Sequence, residues 1–330
     1  MSSRAPERWF TDIIRKVNRF IICSLLAGSC LLTGCDRAQH APRSETSSDS
    51  PLAPALHDPL EELWNDLLTR LKAANPEFHD AGADSVAYRG DQGQLTMIEL
   101  RHPGIHDLTP LQGLPLTFLA LTGCPVRDLS PLRGMPLEEL ALEQTEVSDL
   151  SPLTGMALHT LWLNRSPVSD LGPLRGMPLG SLNLLGTRVT DLSPLQGMPL
   201  ESLWLNETEV EDLSPLRDCP LVSLTLHKTR VKDISIARHW PTLQRLHIAD
   251  TAITDLTPLR GLRLRRLILS PQNIRTGWEA IREMTTLQEL DVEFREDRRW
   301  TPEEFWQHFD AGTWRSSADQ PTSTMSSAPQ

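Results

Sequence analysis

Eight carboxylates stand in step along this sequence: Asp107, Asp128, Asp149, Asp170, Asp191, Asp212, Asp233 and Asp255, with six successive gaps of 21 residues and a last gap of 22. Acids in register could hold calcium, but calcium-binding repeats need Gly-rich turns, which are absent here. Each Asp instead sits two residues before Ser, Thr or Gly, usually followed by Pro. There its carboxylate can accept hydrogen bonds from the next turn's amides and cap it. Capping is therefore the expectation, with no metal. None of the ten histidines has zinc-type spacing beside a Cys pair, and His102 and His106 are expected as satisfied surface residues of a turn. Residues 36–330 contain no phosphate-cradling Gly loop, kinase signature or nucleophile-elbow serine. No catalytic residue or cofactor is expected.

The aspartates are positioned by a repeating unit. Upstream of each lies an alternating pair, among them Leu119/Leu121, Leu161/Leu163, Leu203/Leu205 and Leu246/Ile248, which predicts ten short strands from Ile98/Leu100 to Leu290/Val292. In the unit LESLWLNETEVEDLSPLRDC, residues 200–219, the alternation turns Leu203 and Leu205 inward. Val210 and Leu213 bring the chain back over the core. Ser214-Pro215-Leu216 starts a tight helical turn, with Pro where no donor is needed.

Stacked in register, such strands make one parallel sheet, and the residue between the two inward positions faces solvent. That column contains Trp162, Asn183, Trp204 and Thr225, and the column two residues on contains Asn164, Asn206 and His227. The two indoles are expected two strands apart, roughly 10 Å, with Asn183 between them and Asn164 and Asn206 beside them. Exposed Trp with adaptable amides suits a binding centre; alternatively each indole lies flat and merely covers the sheet. Charge along the face runs from Glu99, Glu139 and Glu143 at the front to Arg245, His247, Arg265 and Arg266 at the back. That is either ordinary solvated charge or a surface for a partner of complementary polarity.

The 21-residue unit resembles the short leucine-rich repeat of internalin-like proteins. It is closer still to the D-L-S-P-L-x-G-M-P-L units of repeat lipoproteins from planctomycete-type bacteria. The resemblance covers residues 95–294 and implies an α/β solenoid, a horseshoe with a parallel sheet on the concave face and short helical turns on the convex side. One departure stands out. Where internalin-type repeats place Asn, this chain has Cys124, Thr145, Ser166, Thr187, Thr208, Thr229 and Thr251, whose hydroxyls are expected to bond the neighbouring turn. Gln272 and a 23-residue step to the last strand mark a repeat degenerating towards its end.

Both ends of a solenoid need covers. Residues 58–94 are expected to form the first. Asp58-Pro59-Leu60-Glu61 reads as a capping box, followed by a helical stripe of Leu60, Leu63, Trp64, Leu67, Leu68 and Leu71. Val86 and Tyr88 should lie on a strand that hairpins into the first repeat, and Asn75-Pro76-Glu77-Phe78 is similar to a segment of the planctomycete-type relatives. At the back, Trp278, Ile281 and Met284 predict a helix in the last repeat. A cap helix within 295–310 is expected to start at Thr301-Pro302-Glu303-Glu304, with Phe305, Trp306 and Phe309 as a lid. Residues 311–330 have no core-forming pattern and are expected to be disordered.

Residues 1–19 hold five basic residues and two acidic ones. The charge-free run Phe20–Leu32 that follows is signal-peptide length and too short to span a membrane. It closes on Leu32-Thr33-Gly34-Cys35, which resembles a bacterial lipobox and implies removal of residues 1–34 and acylation of Cys35. In some sorting systems Asp36 would then retain the protein at the inner membrane. Residues 35–57 read as a flexible tether. Cys124 and Cys219, more than four repeats apart, should be free buried thiols. The whole chain carries a net charge of −11, and −14 without residues 1–34, which disfavours nucleic acid. The functional expectation is a lipid-anchored recognition module at the cell membrane, facing periplasm or exterior. Its concave sheet would bind a protein, or less favourably a glycan. The alternative is an architectural envelope protein acting through its caps and tail.

Overall fold

The computed structural model describes residues 59–79, 85–292 and 299–314. Cys35, the segments 1–34 and 35–57, Asp58, and residues 315–330 of the tail lie outside the described residues.

Eleven strands form one sheet in strict chain order. The first two, β1 (Val86–Asp91) and β2 (Gln94–Leu100), are an antiparallel hairpin. From β2 onward every pairing is parallel: β3 (Phe118–Ala120), β4 (Glu139–Ala141), β5 (Thr160–Trp162), β6 (Ser181–Asn183), β7 (Ser202–Trp204), β8 (Ser223–Thr225), β9 (Arg245–His247), β10 (Arg266–Ile268) and β11 (Glu289–Asp291). This is the solenoid the repeat spacing predicts. Most coils return through a 3-10 turn such as Ser193–Leu195 or Ser214–Leu216, with Pro at its start. The sheet stays open rather than closing into a barrel.

Burial follows the repeat. The inward Leu of each strand from β2 to β11 is buried, as are Val126, Val147, Val168, Val189, Val210 and Val231 and the Leu of each Pro-Leu turn. The coil after β8 departs from the pattern, because its longer turn Ser235–His239 lacks Pro and leads to Trp240. That indole is fully buried where the preceding coils have Met or Cys, and its N–H donates to the Leu216 carbonyl at 2.9 Å. Cys124 and Cys219 are free and buried, and burial pushes both thiols up to about 11.

The hydroxyl column corrects an expectation. Thr145, Ser166, Thr187, Thr208, Thr229 and Thr251 donate not to the neighbouring turn but to the carbonyl three residues earlier in their own. A short hydroxyl reaches only the carbonyl freed where its own strand ends. Only Cys124 reaches back a coil, its Sγ lying 3.5 Å from the Leu100 carbonyl oxygen.

The front is covered by α1 (Pro59–Ala74), which buries Trp64, Leu67 and Leu71. Trp64 stacks on Tyr88 of β1, with ring centroids 4.6 Å apart. Leu63, expected on the apolar stripe, is 44 % exposed; it lies on the flank of the helix, about 100° round from Trp64. Asn75 is the hook behind the helix. Its amide donates to the Leu71 and Asp107 carbonyls, and its Oδ1 accepts the His106 and Asp107 amides. Phe78 follows it into the core. The 77–78 backbone lies so close to Gly104 that a Cβ there would sit 2.5 Å from the Glu77 carbonyl.

At the back, α2 (Trp278–Arg282) and α3 (Pro302–Asp310) close the stack. Thr301 and Glu304 form the capping box reciprocally. Trp278 meets Trp306 and Phe309, Arg282 lies over the Trp306 ring at 3.9 Å, and Trp300 stacks on His308. These rings pack against the core as a lid.

Candidate functional site

All eight repeat aspartates direct Oδ1 at the amide two residues on, from Thr109 through Ser130, Ser151, Gly172, Ser193, Ser214 and Ser235 to Thr257, at 2.7–2.8 Å. Those bonds, with the Ser and Thr hydroxyls, hold the carboxyls of Asp107, Asp128, Asp149, Asp191 and Asp255 below the usual range. The column is a row of turn caps.

The sheet face opposite the Leu columns carries the candidate binding residues. Trp162, Asn183, Trp204, Thr225 and His247 are Cα partners across β5 to β9, one per strand. The indoles thus stand two strands apart, as the spacing predicts, but both are half-buried rather than exposed. The three amides differ from expectation. Asn183 is only 1 % exposed, and Asn164 and Asn206 7 % each. They share the face but are short, so they sit recessed between taller neighbours. Asn183 Oδ1 accepts the Leu185 amide, and Asn206 Oδ1 accepts the His227 amide of the next coil. Asn183 and Asn206 thereby satisfy backbone, whereas Asn164 lends its amide to Glu143 and its Oδ1 is buried without a hydrogen-bond partner among the described residues.

Towards the front, Glu143 is 4 % exposed. Burial pushes its carboxyl above the usual range, against the lowering pull of the Thr122 hydroxyl and the Asn164 amide. Glu99 is paired with Arg101. Towards the back, Arg266 is paired with Glu289, which Arg299 also reaches at 2.8 Å. The positive end of the charge gradient is thus partly neutralised. The exposed cations remaining there are Arg245 and Arg265.

The sequence does not show how the two histidines meet. His227 and His247 stack, with centroids 5.0 Å apart and planes 23° apart. Burial pushes His247 down to about 3, helped by His227 and Arg266. His227 is also lowered, chiefly by burial, although Asp250 opposes it. Its Nδ1 lies 3.2 Å from the Ala249 carbonyl and 3.8 Å from Asp250 Oδ2. The available signal is positional: His247 is the register partner of Thr225, and His227 stands two residues beyond that Thr. His102 accepts the Gly104 amide within its turn.

No protein-family model matches the chain, and no curated protein does. Solved structures do. Internalin InlF from Listeria monocytogenes is 26 % identical with a TM-score of 0.51, covering 57 % of this chain and 65 % of that one. Internalin C2 from the same organism is 28 % identical with a TM-score of 0.52, covering 62 % of this chain and 92 % of that one. This chain therefore spans less than two thirds of InlF but nearly all of internalin C2. Repeat geometry and neighbours agree on the class: a leucine-rich repeat solenoid of the internalin type.

Proposed function

We propose that this protein is a membrane-anchored lipoprotein that recognises a protein partner on its concave sheet. Residues 1–34 act as signal peptide, and Cys35 carries the lipid. Residues 35–57 tether the solenoid to the cell membrane, facing periplasm or exterior. The observation that carries the recognition role is the pair Trp162 and Trp204. Both are half-buried, each keeping part of its ring at the surface, in one register column of the sheet. Large aromatics partly accessible on an ordered surface are typical interface anchors. Thr225 and His227 extend the patch.

Cross-linking and affinity capture from the native cells, with the intact chain as bait, tests this. Trp162→Ala with Trp204→Ala should abolish capture while the thermal melt is preserved. Unchanged capture, together with its loss on truncating residues 295–330, would favour the architectural alternative. Radiolabelled palmitate should enter the wild type but not Cys35→Ala.

A further inference from the structure

On the flank beside the sheet, a solvent-open cleft of about 650 Å³ is cut into the coils that follow β8, β9 and β10. Its cause is local. Ala252 takes the place that Arg230 holds one coil earlier, since each donates its amide to a Val carbonyl of the coil before it. Thr254 likewise stands where the preceding coil has Lys232, each directly before a cap aspartate. Two long side chains thus give way to two short ones, which form the floor. The far wall comes from the irregular coil after β10, where the 3-10 turn Pro271–Asn273 carries Gln272 and leads to Arg275. That wall is tied down. Asn273 donates to the Thr251 carbonyl at 2.8 Å, the Arg275 amide to the Thr254 carbonyl at 2.7 Å, and the Thr276 hydroxyl to Asp255 at 2.9 Å. The cleft is therefore preformed, as small-molecule sites usually are.

The lining is polar, with Ala252 its one apolar residue, and it carries three cations and two acids. Two of these five are already engaged. Arg230 is held by Glu209 at 2.8 Å. Asp250 is occupied at the sheet end, where Oδ1 accepts the Ser270 hydroxyl at 3.2 Å and Oδ2 lies 3.8 Å from His227. Lys232 and Arg275 have no ion pair among the described residues, and both are exposed. They flank Thr254 in one column, two coils and so about 9.6 Å apart at the backbone. An anion between them relieves their repulsion, and a guanidinium can grip a carboxylate or phosphate with two parallel hydrogen bonds. Glu211 and Gln272, at the two ends of the cleft, add a carboxylate and an amide that suit alcohol groups. Glu211, also exposed and without an ion pair among the described residues, disfavours a second negative charge at its end. The volume is that of a small-molecule site rather than of a bare ion.

We infer that this cleft binds a small polyhydroxylated anion, a sugar acid or sugar phosphate. Its carboxylate or phosphate lies between Lys232 and Arg275, and its hydroxyls bond Gln272 and Glu211. The site is separate from the Trp162–Trp204 column and does not rest on it.

The test is calorimetric titration of the full chain with glucuronate and with glucose 6-phosphate. Glucose and inorganic phosphate serve as comparison probes. At least one of the charged sugars should bind saturably and more tightly than either comparison probe, and the tighter of the two identifies the anion as carboxylate or phosphate. Lys232→Ala and Arg275→Ala should each weaken that binding at least tenfold with an unchanged circular dichroism spectrum and melt. Ala252→Trp fills the cleft above its floor without removing a charge and should abolish binding. The double variant Trp162→Ala with Trp204→Ala should bind the charged sugar as the wild type does, which separates this site from the concave face. Four results would each overturn the inference: no saturable binding of either charged sugar, glucose binding as tightly as they do, inorganic phosphate matching glucose 6-phosphate, or binding indifferent to Lys232→Ala and Arg275→Ala.

Discussion

His247 makes the solenoid sensitive to acid, and the size of the effect follows from its place on the sheet. The ring is buried between Thr225 and Ile268 of the adjoining strands, stacked on His227 and facing Arg266. Its folded pKa is lowered from 6.5 to about 3, so the unfolded chain binds a proton here that the folded chain refuses. Stability from this site is therefore complete above about pH 6.5 and is lost as the pH falls through the window towards 3. At about 1.4 kcal/mol per unit, the loss is about 2 kcal/mol at pH 5 and about 3 kcal/mol at pH 4.5. Urea unfolding of the wild type and of His247→Gln, at half-unit steps from pH 7.5 to 4.5, reads the term together with any change in the titration of His227, which is stacked on it. The variant, neutral throughout, should gain on the wild type by those amounts as the pH drops. Profiles that stay parallel to within about 0.5 kcal/mol would refute the burial argument.

Three further outcomes follow from other sites. Glu143 has a raised carboxyl pKa, so the folded chain holds its proton more tightly, and stability at this site declines as the pH rises above the unfolded value. Glu143→Gln should accordingly unfold at higher urea concentration than the wild type at pH 7.5, with the advantage vanishing below pH 4. Gly104→Ala places a Cβ 2.5 Å from the Glu77 carbonyl and should cost about 1–3 kcal/mol by forced backbone movement, read as a lower midpoint in thermal melting. Gln144 holds a left-handed backbone at φ 54°, where the preceding coil has Gly123 at φ 73°. Gln144→Gly should relieve about 1–2 kcal/mol of strain, less about 0.5–1 kcal/mol of unfolded-state entropy; denaturation should register a small gain.

Much of this architecture was legible because a repeat converts sequence distance directly into position. Twenty-one residues return the chain one rung on, so Trp162 and Trp204 could be set two strands apart from numbering alone. The capping role of Asp107 to Asp255 followed from their offset to Ser and Thr. Periodicity tells which face a side chain takes, but not how deep it lies. Asn183 is on the expected face yet submerged, because depth depends on the heights of the residues on either side. Leu63 fell the other way, since six apolar positions span a wider arc of helix than the first coil covers. The hydroxyl column turned to its own strand because a carbonyl three residues back is nearer than one across the stack. The His227–His247 stack needed contact across two columns, which a one-dimensional pattern does not encode. Cys35 and the leader lie outside the described residues and rest on sequence alone.

The two ends of the stack are not equivalent to its middle. At the front, β1 runs antiparallel and its hairpin terminates the ladder; at the back, the Leu290 amide bonds the Trp300 carbonyl as the chain folds over β11. Both ends carry added structure that the interior coils lack, so length is gained most simply from within. Duplicating one interior coil would lengthen the inner face by about 4.8 Å without rebuilding either terminus. A lineage could thus tune the reach of its docking surface one coil at a time, like adding a rung to a ladder whose ends are already finished.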